Sequence, residues 1–302
     1  IMAIALFLFG GGVGMLDVSM NTHGIIVQRY STKPIFSMLH GLFSVGSLVG
    51  ALSLSFFVKW GLSPVNASTI FSLIIVFVAI AKYRNLFSKN VEDERSDKML
   101  VDENEGVVSQ KSVWLNGSVL LIGFFCFSFF LIEGAMLDWS AVFMRDVKNI
   151  PVELGGLGYA AFSIAMAVMR LFGDKVISKL NNKAVVLGGG IIAVVGLLVV
   201  IISNIISLIL IGFILIGIGI ANTIPVFFSE AGKLKNMKTS VALSAITTIG
   251  YSGQLAGPAL IGFIAELFSL PLAFMFLIMV VAFAITVYFF HTIKQKKSKE
   301  SF

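Results

Sequence analysis

The chain is built from runs of about twenty apolar residues, and this decides what it can fold into. A bilayer core of about 30 Å takes roughly 20 residues of helix to cross. Nine stretches qualify: 1–27, 35–58, 65–82, 113–141, 153–173, 184–203, 205–228, 241–265 and 271–291. Lipid offers no water to backbone N–H and C=O groups, so these runs are expected as helices. A β-barrel would show alternating segments of about ten residues, and none occur. Of the 302 residues 57% are apolar before the 29 glycines are counted, and 13% are charged. Soluble domains hold about 45–50% apolar residues with glycine included, and about 25% charged.

Several function classes fall away on the same grounds. A single Cys126 inside an apolar run gives neither a disulfide framework nor a Cys-based metal site. The net charge of +6 comes from bases set between apolar runs, not clustered on a soluble face, so nucleic acid is not an expected partner. There is no phosphate-cradling Gly-Lys-Ser/Thr loop. Gly10-Gly11-Gly12 and Gly188-Gly189-Gly190 lie in lipid-length runs with no strand before them. No enzyme, cofactor or metal is expected.

Basic residues set the orientation. Alternate connections carry 19 and 3 of the 22 Lys and Arg, and the richer side is the cytoplasmic one. The C-terminus is therefore expected inside, in a multi-pass membrane protein. Trp60, Trp114 and Trp139 fall at span ends, as an interfacial aromatic belt requires. Segment 84–112 holds seven acids and five bases with almost no apolar period and reads as a cytoplasmic linker.

Residues 7–64 repeat as 214–271 at a fixed offset of 207. Leu8 matches Leu215, Gly10 matches Gly217, Gly12 matches Gly219, Gly46 matches Gly253, Gly50 matches Gly257 and Pro64 matches Pro271. Internal symmetry of this kind is common in transporters built from repeated halves. The first run pairs with the seventh and the second with the eighth, so each repeat has six helices. The domains expected are 1–83, three spans of a first half; 84–112, the linker; 113–291, a complete second half; and 292–302, a cytoplasmic tail. Three helices are then expected ahead of Ile1, which already lies inside an apolar run.

Local words support this architecture. Gly14-Met15-Leu16-Asp17-Val18-Ser19-Met20-Asn21 and Met38-Leu39-His40-Gly41-Leu42-Phe43-Ser44-Val45-Gly46 resemble the fourth and fifth helices of YbjJ-type inner-membrane facilitators. Glu133-Gly134 with Asp138-Trp139 resembles that group's seventh helix. Arg170-Leu171-Phe172-Gly173-Asp174-Lys175 resembles the loop between helices eight and nine of the major facilitator superfamily, and Thr247-Thr248-Ile249-Gly250-Tyr251 through Gly257-Pro258 its eleventh helix. The resemblance implies an all-α transmembrane bundle of the 6+6 type and leans toward the fucose-permease side. The family loop has an Asp where this chain has Ser178.

Ionisable groups inside spans cost roughly 2.5–3.5 kcal/mol on insertion scales, so each needs a reason. Asp17 lies 12 residues before Arg29, about 18 Å of helix and so near the midplane. Gly10, Gly14, Asp17, Asn21, Gly24 and Gln28 share one small-and-polar face. Glu133 is the second buried carboxylate. Asp17, Asn21, Glu133, Asn222, Tyr251 and Gln254 are the candidates for binding solute or protons. His40 is a candidate proton relay, and Arg170, Asp174 and Lys175 a candidate inner gate. Gly253-x-x-x-Gly257-Pro258 reads as a close-packing seam with a kink point.

These readings converge on a monomeric secondary transporter working by alternating access. The expected partners are the lipid bilayer, a small and sugar-like solute, and protons as coupling ion. Two alternatives stand beside it: efflux of amphipathic compounds, which the 28 Phe would suit, and a non-transporting membrane receptor or scaffold.

Overall fold

The computed structural model describes residues 2–31, 35–85, 113–234, 237 and 239–300. Among them there is no strand. Nine helices run in order: α1 (Met2–Tyr30), α2 (Phe36–Lys59), α3 (Pro64–Lys82), α4 (Gly117–Val142), α5 (Leu157–Ile202), α6 (Ile206–Ile220), α7 (Thr223–Ala231), α8 (Thr239–Leu267) and α9 (Leu270–Glu300).

Helix boundaries follow from local chemistry. Ser63 caps α3 by accepting from the Asn66 amide, with Pro64 in the first turn, where a missing N–H costs nothing. Asn116 caps α4 by accepting from Ser118 and Val119. Helix α5 is two limbs, because Asn181 adopts φ 67°, ψ 162°. Its Oδ1 then accepts from the Ala184 amide at 3.1 Å and starts the second limb. The two-residue link at Ser203–Asn204 separates α5 from α6, with Ser203 extended.

The described parts of all nine apolar runs fall in helix or within a residue or two of it, two of them in the limbs of α5. By length and composition, five stretches among the described residues can cross a membrane: Val65–Lys82, Gly117–Val147, Leu157–Ile202, Ile206–Ala231 and Leu270–Lys294. Helix α8 falls short because Ser, Thr and Gln residues interrupt its apolar length. The linker expected over 84–112 lies outside the described residues from 86 onward; Tyr83–Asn85 forms a single 3₁₀ turn. Helix α9 runs on past residue 291, where the last span was expected to end, and continues to Glu300. Its Lys, Gln and Glu residues are good helix formers, and bases near a helix C-terminus complement the dipole.

The core lies among α4–α9. Phe125, Phe129, Phe143, Phe162, Phe213, Phe227, Phe228 and Phe274 are fully buried there. Phe125 stacks on Phe227 with centroids 5.0 Å apart, and Phe143 on Phe274 at 4.4 Å. The Gly253/Gly257 seam packs directly on the α4 backbone. A Cβ at Gly253 would lie 2.3 Å from the Phe127 carbonyl, and one at Gly257 2.7 Å from that of Leu131. Only glycine permits that approach, and it brings α8 and α4 together at the level of the site.

Candidate functional site

Two polar clusters sit where α1, α4, α5, α7 and α8 converge. In the first, Asn21 stands one turn after Asp17 on α1. Its Nδ2 donates to the Asp17 carbonyl at 2.9 Å and to the Asp17 carboxylate at 3.1 Å. Tyr251 on α8 lies within electrostatic reach of the same carboxylate. The Tyr251 ring is held by Phe130 of α4, with centroids 4.8 Å apart. Asp17 and Asn21, one turn apart on α1, thus lie close to a tyrosine of α8 far along the chain, and Asn21 Oδ1 is buried without a hydrogen-bond partner among the described residues.

The second cluster is an ion pair. Arg170 Nη2 on α5 lies 3.1 Å from Glu133 Oε2 on α4, with 8% and 21% of the side chains exposed. Arg170 Nε also donates to the Ala221 carbonyl at 3.1 Å. The reason that carbonyl is free is in the sequence. Four residues on, where a helix would supply an N–H, stands Pro225, which has none. The helix breaks at Ala221–Asn222 between α6 and α7, and Arg170 takes up the released acceptor. In an apolar interior an unpaired carbonyl is costly, so arginine and break support each other. Beside them Asn222 donates to the Met169 carbonyl at 3.4 Å, while its Oδ1 has no partner. Tyr251 lies within electrostatic reach of both Asp17 and Glu133, and so connects the clusters.

The residues grouped as an inner gate separate. Arg170 belongs to the Glu133 pair. Asp174 reaches the N-terminus of α2, accepting from the amides of Ser37 at 2.9 Å and Met38 at 2.8 Å. That places a carboxylate at the positive end of a helix dipole. Lys175 lies over the Phe172 ring, 5.9 Å from its centroid. Gly173 makes the α2–α5 contact possible, because a Cβ there would meet Asn222 Oδ1 at 1.9 Å and Ser37 Cβ at 2.6 Å. Gln28 adds a second tie: its Oε1 accepts from the Phe36 amide at 3.1 Å and its Nε2 donates to Ser229 at 2.8 Å. His40 packs between Phe36 and Phe228, at 5.3 and 5.9 Å, with Nε2 buried and unpartnered. Gln254 contributes its backbone, which lies against Gly134; its side chain makes no hydrogen bond among the described residues.

Sequence reasoning missed three participants. Tyr159 lies within electrostatic reach of Glu133, Asp138 and Arg170. The other two are the Ala221 carbonyl and Pro225; a proline inside an apolar run was the available signal. Among the described residues no group of three or more His, Cys, Asp or Glu is placed to hold a metal ion.

The comparisons with known proteins meet this geometry. The Major Facilitator Superfamily model matches residues 1–253 and 156–302. The chain belongs to the major facilitator superfamily. Within it, an uncharacterized MFS-type transporter of Yersinia pestis is 40% identical over 273 residues, covering 90% of this chain and 68% of that protein. The membrane protein MosC of Rhizobium meliloti is 30% identical over 276 residues, covering 91% and 64%. An uncharacterized transporter of Sinorhizobium fredii is 28% identical over 279 residues, covering 91% and 70%. This chain is thus a multi-pass, all-helical membrane protein of a transporter superfamily, and it spans about two thirds of the length of these relatives.

Proposed function

We propose that the chain forms part of a secondary active transporter that moves a small solute by alternating access, with Asp17, Asn21, Glu133, Asn222, Tyr251 and Gln254 around the solute path. The observation that carries this is the meeting of Asp17 and Asn21 with Tyr251, beside the Glu133–Arg170 pair. Carboxylates inside apolar helices are costly, and they mark substrate or proton pathways. Asp17 faces Tyr251 across the two proposed halves, where alternating-access sites lie, while the Glu133–Arg170 pair stands beside them within the second half.

The finer reading follows from the same groups. Asp17 and Glu133 are the carriers for proton coupling, with His40 as a relay. Hydrogen-bonding amides, carboxylates and a tyrosine suit the hydroxyls of a sugar-like solute, in keeping with the YbjJ-type words around Asp17 and Glu133. Arg170, Asp174 and Lys175 form the inner gate, Asp174 through its hold on the end of α2 and Arg170 through its pair with Glu133. The 207-residue repeat supports six helices per half, three of them ahead of α1, with halves divided at 84–112 and the second ending at 291. The excess of bases on one side supports an inner-membrane protein with a cytoplasmic C-terminus, working as a monomer without nucleic acid.

The test uses the full-length parent in vesicles, with and without a pH gradient. Asp17→Asn should abolish net uphill uptake while sparing solute exchange, because exchange needs no net proton movement. Glu133→Gln should weaken both through poorer solute binding. A residue that only packs a helix seam would chiefly lower thermal stability. Wild-type uphill rates in both variants, at normal expression, would refute the assignment.

A further inference from the structure

A polar cavity of about 360 Å³, lined from α4, the end of α7 and α9, shares no residue with the Asp17 and Glu133 clusters. Its polar lining is Ser118 from the first turn of α4, Glu230 from the last turn of α7, Lys233 just beyond it, and Tyr288, His291 and Thr292 from α9. Glu230 is held in place. Asn182 Nδ2, at the start of the second limb of α5, donates to its Oε1 at 3.2 Å. The Tyr288 hydroxyl donates to the same oxygen at 3.1 Å. Both donors take Oε1. Lys233 belongs to neither of the described ion pairs, Arg145–Asp146 and Glu133–Arg170. One fixed carboxylate and one ammonium therefore line the same space without pairing with each other. The remaining wall is apolar, with the Phe125 ring set edge-on to Tyr288 at 5.4 Å.

We propose that this cavity is a binding site for a small zwitterion with an apolar side group, of the class of the apolar α-amino acids. The ligand's ammonium meets Glu230 Oε2 and its carboxylate meets Lys233, with the Ser118 and Thr292 hydroxyls beside them. Its apolar part lies on Phe125 and Tyr288. Ligands of a single charge fit less well, because either Glu230 or Lys233 is left unpaired in a partly desolvated space. A phosphate would face the Glu230 carboxylate with one lysine to offset it. The volume lies within the range of small-molecule pockets. The site touches α4, α5, α7 and α9 and no residue of α1, so it is separate from the Asp17 cluster.

The test is titration calorimetry on the purified full-length parent in detergent, with L-phenylalanine as probe. 3-Phenylpropanoate and phenethylamine, each carrying one of its charges, are the controls. L-Phenylalanine should bind more tightly than either control. Glu230→Gln keeps a carbonyl for Asn182 and Tyr288, so the fold is retained, which a thermal melt checks. It should weaken L-phenylalanine binding by about tenfold or more while leaving 3-phenylpropanoate no weaker than before. Lys233→Gln should do the converse, weakening L-phenylalanine and sparing phenethylamine. Asp17→Asn should leave L-phenylalanine binding as it is, which distinguishes this cavity from the proposed solute path. The proposal is overturned by no binding to the wild-type chain, by a single-charge control that binds as tightly, by binding indifferent to both cavity substitutions, or by loss of binding in Asp17→Asn.

Discussion

Helix α1 and the stretch α6–α7 are two copies of one pattern, and they meet different fates. Gly10 and Gly12 of the first correspond to Gly217 and Gly219 of the second. The first copy is one unbroken helix, Met2–Tyr30, and the second breaks at Ala221–Asn222. The position equivalent to Pro225 is Val18, whose N–H keeps the α1 ladder intact. A repeated pattern therefore specifies helix twice, and a proline decides whether that helix stays whole. One proline converts an apolar span into the support of an ion pair.

Four substitutions break or sharpen this contrast. The largest effect is expected from Arg170→Met, which strands the Glu133 carboxylate and the Ala221 carbonyl together. Unfolding in detergent should show a loss of about 3–5 kcal/mol, toward the lower end because Glu133 is partly exposed. A loss under about 1 kcal/mol, the range of surface pairs, would mean the pair is not formed. Next comes Val18→Pro, which imposes on α1 the break that α6–α7 tolerates. With no arginine described beside the Gly14 carbonyl, the cost should be about 3 kcal/mol; a neutral result would show that α1 bends there already.

Pro225→Ala tests the compensation directly. Alone it restores an N–H beneath Ala221 and competes with Arg170. Combined with Arg170→Met it should recover about 1 kcal/mol of the arginine variant's loss, since the new amide satisfies the stranded carbonyl. Strict additivity in that cycle would sever proline from arginine. The smallest effect is expected at the α2 end. Asp174→Ala removes acceptors for the Ser37 and Met38 amides and should cost about 1 kcal/mol, as loss of a helix cap does. No change in melting temperature would leave Asp174 without a structural part.

Much of the backbone was legible in the sequence. Each apolar run contains its own hydrogen-bond partners once helical, so lipid makes secondary structure a local decision. The single face shared by Asp17 and Asn21 is local for the same reason, as is the glycine seam that α8 lays on α4. The pairing of Arg170 was not legible. Its sequence neighbours Asp174 and Lys175 suggested a common role at the helix end, yet its partners come from α4 and from the break before α7. The approach of Asp17 to Tyr251 joins α1 to α8, and Glu230 with Lys233 reads in sequence as an ordinary helix end. Side-chain partners depend on which distant helices approach and how closely. Gly173, Gly253 and Gly257 decide that by letting one segment rest on another. Sequence alone determined the helices, their apolar lengths and the cost of each buried charge. Tertiary structure alone decided which charges meet, because a side chain's partner is set by the nearest packed backbone and not by the residue beside it in the chain.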